Sequence, residues 1–227
     1  MAYRYDLTKE EEVKKYLDNV LVEYQFQCLQ EKLPDGCGRL GDYYFQVRPD
    51  LEKSAKLHKE NCDKNNYGHS CYRYGSMLLQ GLAGKKDIPE GYKYLEKSCE
   101  QGIMKSCYNV AVMTSNPDKQ FYDIKKAIEL FQRACVNKHE RSCLQLVNIF
   151  LNGNKDIAID KEKAFHYADY GCNERGSAPL CARLYYMYRR GVGVEQNKEM
   201  ALMYKKKSQI LANQGPEGYR HQMEMGE

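Results

Sequence analysis

Apolar residues along this chain recur three and four positions apart in short runs, and polar stretches holding many of the glycines and prolines separate those runs. Segments such as GYKYLEKSCEQG, KAIELFQRACVNK and KAFHYADYGCNERG carry aromatics or leucines at helical spacing. A parallel α/β pattern would place apolar strand runs between the helices, and none is present. The pattern predicts an all-α chain. A first helix spans about 9–32, with Thr8 and Glu11 spaced as a capping box. LPDG at 33–36 reads as a turn. Helix pairs follow at about 37–47 and 50–63, 69–81 and 88–101, 104–115 and 123–137, 140–152 and 160–173, and 178–190 and 195–213. Residues 214–227, QGPEGYRHQMEMGE, read as a frayed tail.

The cysteines change this picture from a string of helices to an array. The ten form five couples, Cys28 with Cys37, Cys62 with Cys71, Cys99 with Cys107, Cys135 with Cys143, and Cys172 with Cys181. The first members lie 34, 37, 36 and 37 residues apart, a period in the range of helical solenoids. This predicts an α/α solenoid of five helix pairs, at 37–68, 69–103, 104–139, 140–176 and 177–213, behind an N-terminal helix and turn at 1–36. The first cysteine of each couple ends one helix and the second opens the next. In one continuous helix, residues eight or nine apart are separated by about 12–13.5 Å. A disulfide needs Cα atoms about 4.4–6.8 Å apart. A turn must therefore fold the chain back within each couple, and Gly102, Asn137 with Lys138, and Gly176 stand where it is required.

Spacing and even number favour five structural disulfides over the alternatives. Zinc sites use C-x2–4-C spacing, which these couples lack. No C-x-x-C is present, although one strained couple acting in thiol–disulfide exchange stays open. A closed loop of about ten residues contributes roughly 2.7 kcal/mol in the chain-entropy account.

The formal net charge of +4 is spread along the chain, with no basic block of the kind that binds nucleic acid. There are 20 tyrosines and no tryptophan. No apolar run is long enough to cross a membrane. MAYRYDLTKEEEVKKYL has neither the apolar core of a secretory signal nor the composition of a matrix transit peptide. Paired cysteines without such a signal fit the mitochondrial intermembrane space, where chains are trapped by oxidation; a cytosolic solenoid with ten reduced thiols is the alternative. GCGRLG at 36–41 matches G-x-G-x-x-G but follows a helix and turn, so it reads as coincidence. H-E-x-x-H, G-x-S-x-G and Walker-type sequences are absent, and with every cysteine paired no thiol nucleophile remains. A non-enzymatic scaffold is expected, with weak exchange activity as the open exception.

The last unit, CARLYYMYRRGVGVEQNKEMALMYKKKS, resembles a Sel1-like repeat through Leu184, Tyr188, Gly191, Gly193, Val194, Ala201, Tyr204 and Lys206. Tyr185 replaces that family's usual glycine. Tyr74, Gly75, Gly81, Gly84, Tyr94 and Lys97 repeat the pattern in the second unit, and Leu40, Gly41 and Tyr44 in the first. The acidic first helix, PDGCGRLGDY and the five couples together resemble the Sel1-repeat assembly factors of cytochrome c oxidase. That resemblance implies a scaffold of the intermembrane space that engages protein partners, among them oxidase assembly intermediates and the oxidative import machinery. It implies a monomer with haem as a possible cofactor, for which His58 and His139 are the first candidates. The repeats would form a concave partner surface carried by the first helix of each pair, at Tyr43, Tyr44, Arg73, Asn109, Gln145, Arg183 and Tyr186. A thiol–disulfide oxidoreductase or haem chaperone is one rival. A bacterial cysteine-rich Sel1 hydrolase or penicillin-binding protein is another, and for it the serine β-lactamase elements are missing.

Overall fold

The computed structural model describes residues 5–224, with side chains to 213. Among the described residues there are eleven α-helices and no strand. They are α1 (Glu10–Leu29), α2 (Pro34–Gln46), α3 (Leu51–Asn65), α4 (Gly68–Gln80), α5 (Ile88–Glu100) and α6 (Met104–Ser115), then α7 (Ile124–Val136), α8 (Glu140–Asn152), α9 (Lys161–Asn173), α10 (Ala178–Arg190) and α11 (Lys198–Glu224). The fold is an α/α solenoid of disulfide-stapled helix pairs. It divides into two compact units, Met1–Ser106 and Cys107–Glu227. In the first, each of α1 to α4 packs on its successor; in the second, each of α7 to α10 does the same.

Five helix starts share one local cause. Asp50, Asp87, Asp123 and Asp160 are N-caps whose carboxylates accept from the backbone N–H of Lys53, Glu90, Lys126 and Lys163 at 2.9–3.0 Å. Asn197 does the same for Met200 at 3.0 Å. These five caps lie 37, 36, 37 and 37 residues apart, a second ruler beside the cysteines. Such a cap satisfies an otherwise orphaned donor and contributes about 1 kcal/mol. The capping box expected at Thr8 and Glu11 does not form. Thr8 instead donates its hydroxyl to Asp6 at 2.6 Å, and Lys9 takes the N-cap position without a side-chain bond.

The turn inside each cysteine couple follows one plan, in two lengths. One residue has left-handed backbone, at Lys32, Asn66, Gly102, Lys138 and Gly176, with φ between 52° and 84°. Four positions before the second cysteine, an N–H reaches back to the carbonyl just before the first. These bonds are Leu33 to Gln27, Tyr67 to Asn61, Ile103 to Ser98, His139 to Ala134 and Ser177 to Gly171, at 2.9–3.4 Å. Ile103 and His139 reach five residues back, the Schellman spacing, and their couples are eight apart; the others reach six back, and theirs are nine apart.

Cα atoms lie 4.4 Å apart in Cys28–Cys37, 4.8 Å in Cys62–Cys71, 4.9 Å in Cys135–Cys143 and 4.7 Å in Cys172–Cys181. Cys99 and Cys107 are likewise disulfide-bonded, and none of the ten is free. Nine of the ten cysteines are buried, and Cys37 is half-buried. Cys62 and Cys71 pack with Leu78 and Tyr94 in the first unit, while Cys172 and Cys181 pack with Phe131, Leu146, Leu180 and Leu184 in the second. α11 continues as helix to Glu224, where a frayed tail from 214 is expected; its side chains from 214 on and residues 225–227 lie outside the described residues.

Candidate partner-binding face

The helices that open at each second cysteine were expected to carry the face, and their register decides what they can present. Two positions after that cysteine stand Arg39, Arg73, Asn109, Gln145 and Arg183. Arg39 and Arg183 are exposed, and the other three are half-buried. Tyr44 is half-buried and Tyr186 is 54 % exposed. Tyr43 corrects its expectation. It is buried, and its hydroxyl donates to the Leu17 carbonyl at 3.1 Å, fastening α2 to α1. Spacing could not separate Tyr43 from Tyr44, because only the presence of α1 decides which of two adjacent tyrosines turns inward.

In the first unit the face is organised by a carboxylate absent from the predicted set. Asp42 lies 2.7 Å from Arg73 Nε and 3.6 Å from His58 Nε2. Burial pushes the Asp42 carboxyl up, but the nearby His58 imidazole and the charge of Arg73 outweigh it, so the group sits below the usual carboxylate range. The Arg73 guanidinium lies 6.0 Å from the Phe45 ring, and Lys53 Nζ lies 5.4 Å from the Tyr44 ring. Arg73, Phe45, Tyr44 and Lys53 thus form a cation–aromatic strip suited to polar and aromatic groups of a protein partner.

Behind that strip His58 is 1 % exposed, with Nδ1 3.3 Å from Ser70 Oγ. Asn61 donates to the same Oγ and to the Pro34 carbonyl, both at 2.8 Å. A tautomer with hydrogen on Nε2 lets His58 accept from Ser70 and point its proton at Asp42. A Cβ on Gly41 would stand 2.7 Å from the imidazole, so glycine there is what makes room for the ring. Asp42, His58 and Ser70 therefore follow the order of an acid–base–nucleophile triad. Ser70 is fully buried and occupied by Asn61, so no substrate reaches it. The same burial corrects the haem expectation at His58, since its ring would have to leave the core to bind iron. In the second unit His139 is half-buried, with Nδ1 2.9 Å from Ser142 Oγ and its ring 4.7 Å from that of Tyr108. GCGRLG lies wholly within or against α2, with no strand before it.

The second unit presents Arg183, which donates to Asn148 Oδ1 at 3.4 Å, and Tyr186, whose ring lies 4.8 Å from that of Tyr185. Asn109 and Gln145 complete its row. Among the described residues, no group of histidines, cysteines and carboxylates is arranged to hold a metal. No described helix is long and apolar enough to cross a membrane.

The Sel1 repeat matches residues 68–103, 105–136, 148–174 and 180–208, more than half of the chain. A Xenopus tropicalis protein named cytochrome c oxidase assembly factor 7 is 38 % identical over 93 % of this chain and 94 % of its own length. The human protein of that name is 33 % identical over 96 % and 97 %, and a Drosophila melanogaster homologue is 32 % identical over 89 % and 90 %. Among solved structures, a Sel1 repeat protein from Oxalobacter formigenes superposes with a TM-score of 0.71 at 25 % identity, covering 90 % of this chain and 84 % of that one. A protective antigen of uropathogenic Escherichia coli with an SLR fold gives 0.74 at 21 % identity, covering 83 % and 40 %.

Proposed function

This chain belongs to the Sel1 repeat family and to its group of cytochrome c oxidase assembly factor 7 proteins, and on that premise we propose that it is an assembly factor for cytochrome c oxidase. The observation that carries the reading is identity at or above 32 % across nearly the whole length of relatives bearing that name in frog, human and fly. The protein works as a disulfide-stapled scaffold that holds a protein partner, with the Arg73–Phe45–Tyr44–Lys53 strip and the Arg183–Tyr186 row as contact surfaces. Its compartment is the mitochondrial intermembrane space. Ten disulfide-bonded cysteines support an oxidising site, since such bonds persist where thiols are not kept reduced.

Deletion of the protein should lower the amount of assembled oxidase on native gels while leaving its subunits translated. Normal oxidase in the deleted cells would sink the reading. Protease treatment after outer-membrane rupture tests the compartment: loss of the protein on rupture supports it, and protection until the inner membrane is dissolved refutes it. Arg73→Glu should reduce recovery of assembly partners with the protein, without changing its disulfides.

A further inference from the structure

The five helix pairs share a core slot whose last copy is built differently. One side of the slot is four residues after the second cysteine, and the other is four residues before the next first cysteine. The pairs are Gly41 with His58, Gly75 with Leu95, Ala111 with Phe131, and Val147 with Ala168. All eight residues are buried, and small faces large or medium faces small, so each slot is filled once. A Cβ on Gly75 would already meet Leu95 at 3.1 Å and the Gly91 carbonyl at 3.0 Å. In the fifth pair the same register holds Tyr185 and, counting α11 in step with Tyr94 and Tyr204, Lys205. Two long side chains cannot share that slot. Tyr185 is half-buried, Lys205 is exposed, and the ammonium lies 6.0 Å from the ring.

What this opens is a cavity of about 410 Å³ lined by Tyr185, Arg189, Gln196, Lys198, Ala201 and Leu202. Arg189 donates to the Tyr185 hydroxyl at 2.8 Å, and its backbone carbonyl accepts from Gln196 at 2.9 Å, so the guanidinium is held at the wall. Arg189, Lys198 and Lys205 are all exposed, and none is ion-paired among the described residues. Leu202 is 64 % exposed beside them, and Met203 and Tyr186 are 47 % and 54 % exposed. From Arg183 to Asn213 there are seven Lys or Arg against Glu195 and Glu199, a net +5, whereas the whole chain carries +4. The rest of the chain is therefore close to neutral, and the positive charge is concentrated here.

We propose that the α10–α11 pair docks on an anionic phospholipid surface, with a lipid phosphate seated in the cavity beside Arg189 and Lys198 and with Lys205, over the Tyr185 ring, adding charge near it. Cations set around protruding leucine and methionine side chains match the chemistry of a membrane interface, where charge meets headgroups and apolar tips reach the acyl boundary. An acidic peptide would use the cations but gives Leu202 and Met203 no apolar layer to enter. The attachment is peripheral and stands independently of the oxidase reading.

The test is sedimentation of the full-length oxidised protein with phosphatidylcholine vesicles, with and without phosphatidylglycerol. Binding is expected only to the anionic vesicles and should fall as salt rises. Each cation removed should lower partitioning about fivefold, so Arg189→Gln with Lys205→Gln should lower it about 25-fold. Lys56→Gln with Lys105→Gln removes the same charge from exposed positions in the other unit and should leave far more binding than the first pair. Leu202→Ser should also weaken binding. Unchanged far-UV circular dichroism and intact disulfides establish that each variant is folded. Equal binding to both vesicle types, or equal loss in the two charge-matched doubles, would overturn the proposal. So would Arg189/Lys205-dependent binding of inorganic phosphate or poly-glutamate without binding of vesicles, the first leaving a free-anion site and the second an acidic protein partner.

Discussion

Replacing Lys138 by glycine should stabilise the protein, and the magnitude follows from the turn that contains it. Lys138 has φ 68°, and its N–H bonds the Cys135 carbonyl at 3.2 Å while His139 reaches Ala134 at 2.9 Å. Its side chain is exposed and makes no hydrogen bond or ion pair among the described residues, so truncation removes no such contact. A side chain in the left-handed region costs about 1–2 kcal/mol. Glycine escapes that clash but loses about 0.5–1 kcal/mol through the freedom it has when unfolded. The difference leaves Lys138→Gly about 1 kcal/mol more stable. With a urea slope of about 2 kcal/mol/M, the midpoint should rise by about 0.5 M. Gly102 fills the same position with φ 84° and nothing within 4 Å of an added Cβ, so Gly102→Lys isolates the backbone effect and should lower the midpoint by a similar amount. Urea titrations of the oxidised proteins followed at 222 nm are the assay. If Lys138→Gly proves neutral or destabilising while Gly102→Lys still destabilises, the account of the turn as a strained Schellman motif is wrong.

Gly171→Ala should cost about 1–3 kcal/mol by overpacking, because its Cβ would lie 2.0 Å from Leu180 Cδ1 in a fully buried core; thermal denaturation measures this. Cys28–Cys37 should be the first staple reduced, since Cys37 is half-buried and faces a cavity of about 220 Å³ while its counterparts are buried; alkylation and mass mapping after brief mild reduction should find these two cysteines labelled first. The depressed carboxyl of Asp42 contributes stability present above the ordinary Asp pKa of about 4 and lost as pH falls through its lower folded value. Arg73→Gln should therefore destabilise at pH 7 and show a smaller further loss on acidification than the parent. Burial, then the hydrogen bond to Asp35, pushes the Tyr67 phenol up to about 12, so its contribution is present below about pH 10 and lost as pH rises toward 12. Tyr67→Phe should flatten that part of the alkaline denaturation curve.

The cysteine ruler made the architecture legible because a disulfide is a distance constraint that sequence spacing can express. Ten half-cystines at a steady period left one way to fold the chain back, and the helices fall within a few residues of where the period puts them. The N-terminal cap shows the limit of motif reading. Thr8 and Glu11 have capping-box spacing, but Asp6 two residues upstream offers Thr8 a closer acceptor, and the helix starts without them. Side-chain direction was the other gap. Tyr43 and Tyr44 differ in burial because α1 covers one of them, a tertiary fact no local window contains. His58 is hidden for the same reason, in a space that Gly41 leaves open. Asp42 was readable in principle, through its place one turn from Phe45 and opposite an arginine in the next helix pair, but only once the register of α2 against α4 is known.

The staples, the caps and the left-handed turn residues repeat with nearly the same period because they act on the same problem. Most helices here have 12 to 15 residues, a length at which an isolated helix is marginal in water. Loops of about ten residues gain only roughly 2.7 kcal/mol each from closure, less than a long-range bridge would. Local disulfides therefore contribute little to bringing distant parts together and act mainly to fix how one helix leaves its turn and enters the next. The exception explains itself by the same logic. Gln209 occupies the place where a sixth first cysteine would fall, with no later couple to close. Freed of that constraint, α11 keeps the inward Ala201 and Tyr204 of its predecessors but replaces the buried residue at 205 with lysine. Lys205 is exposed where its counterparts His58, Leu95, Phe131 and Ala168 are buried, so this register position is available for binding.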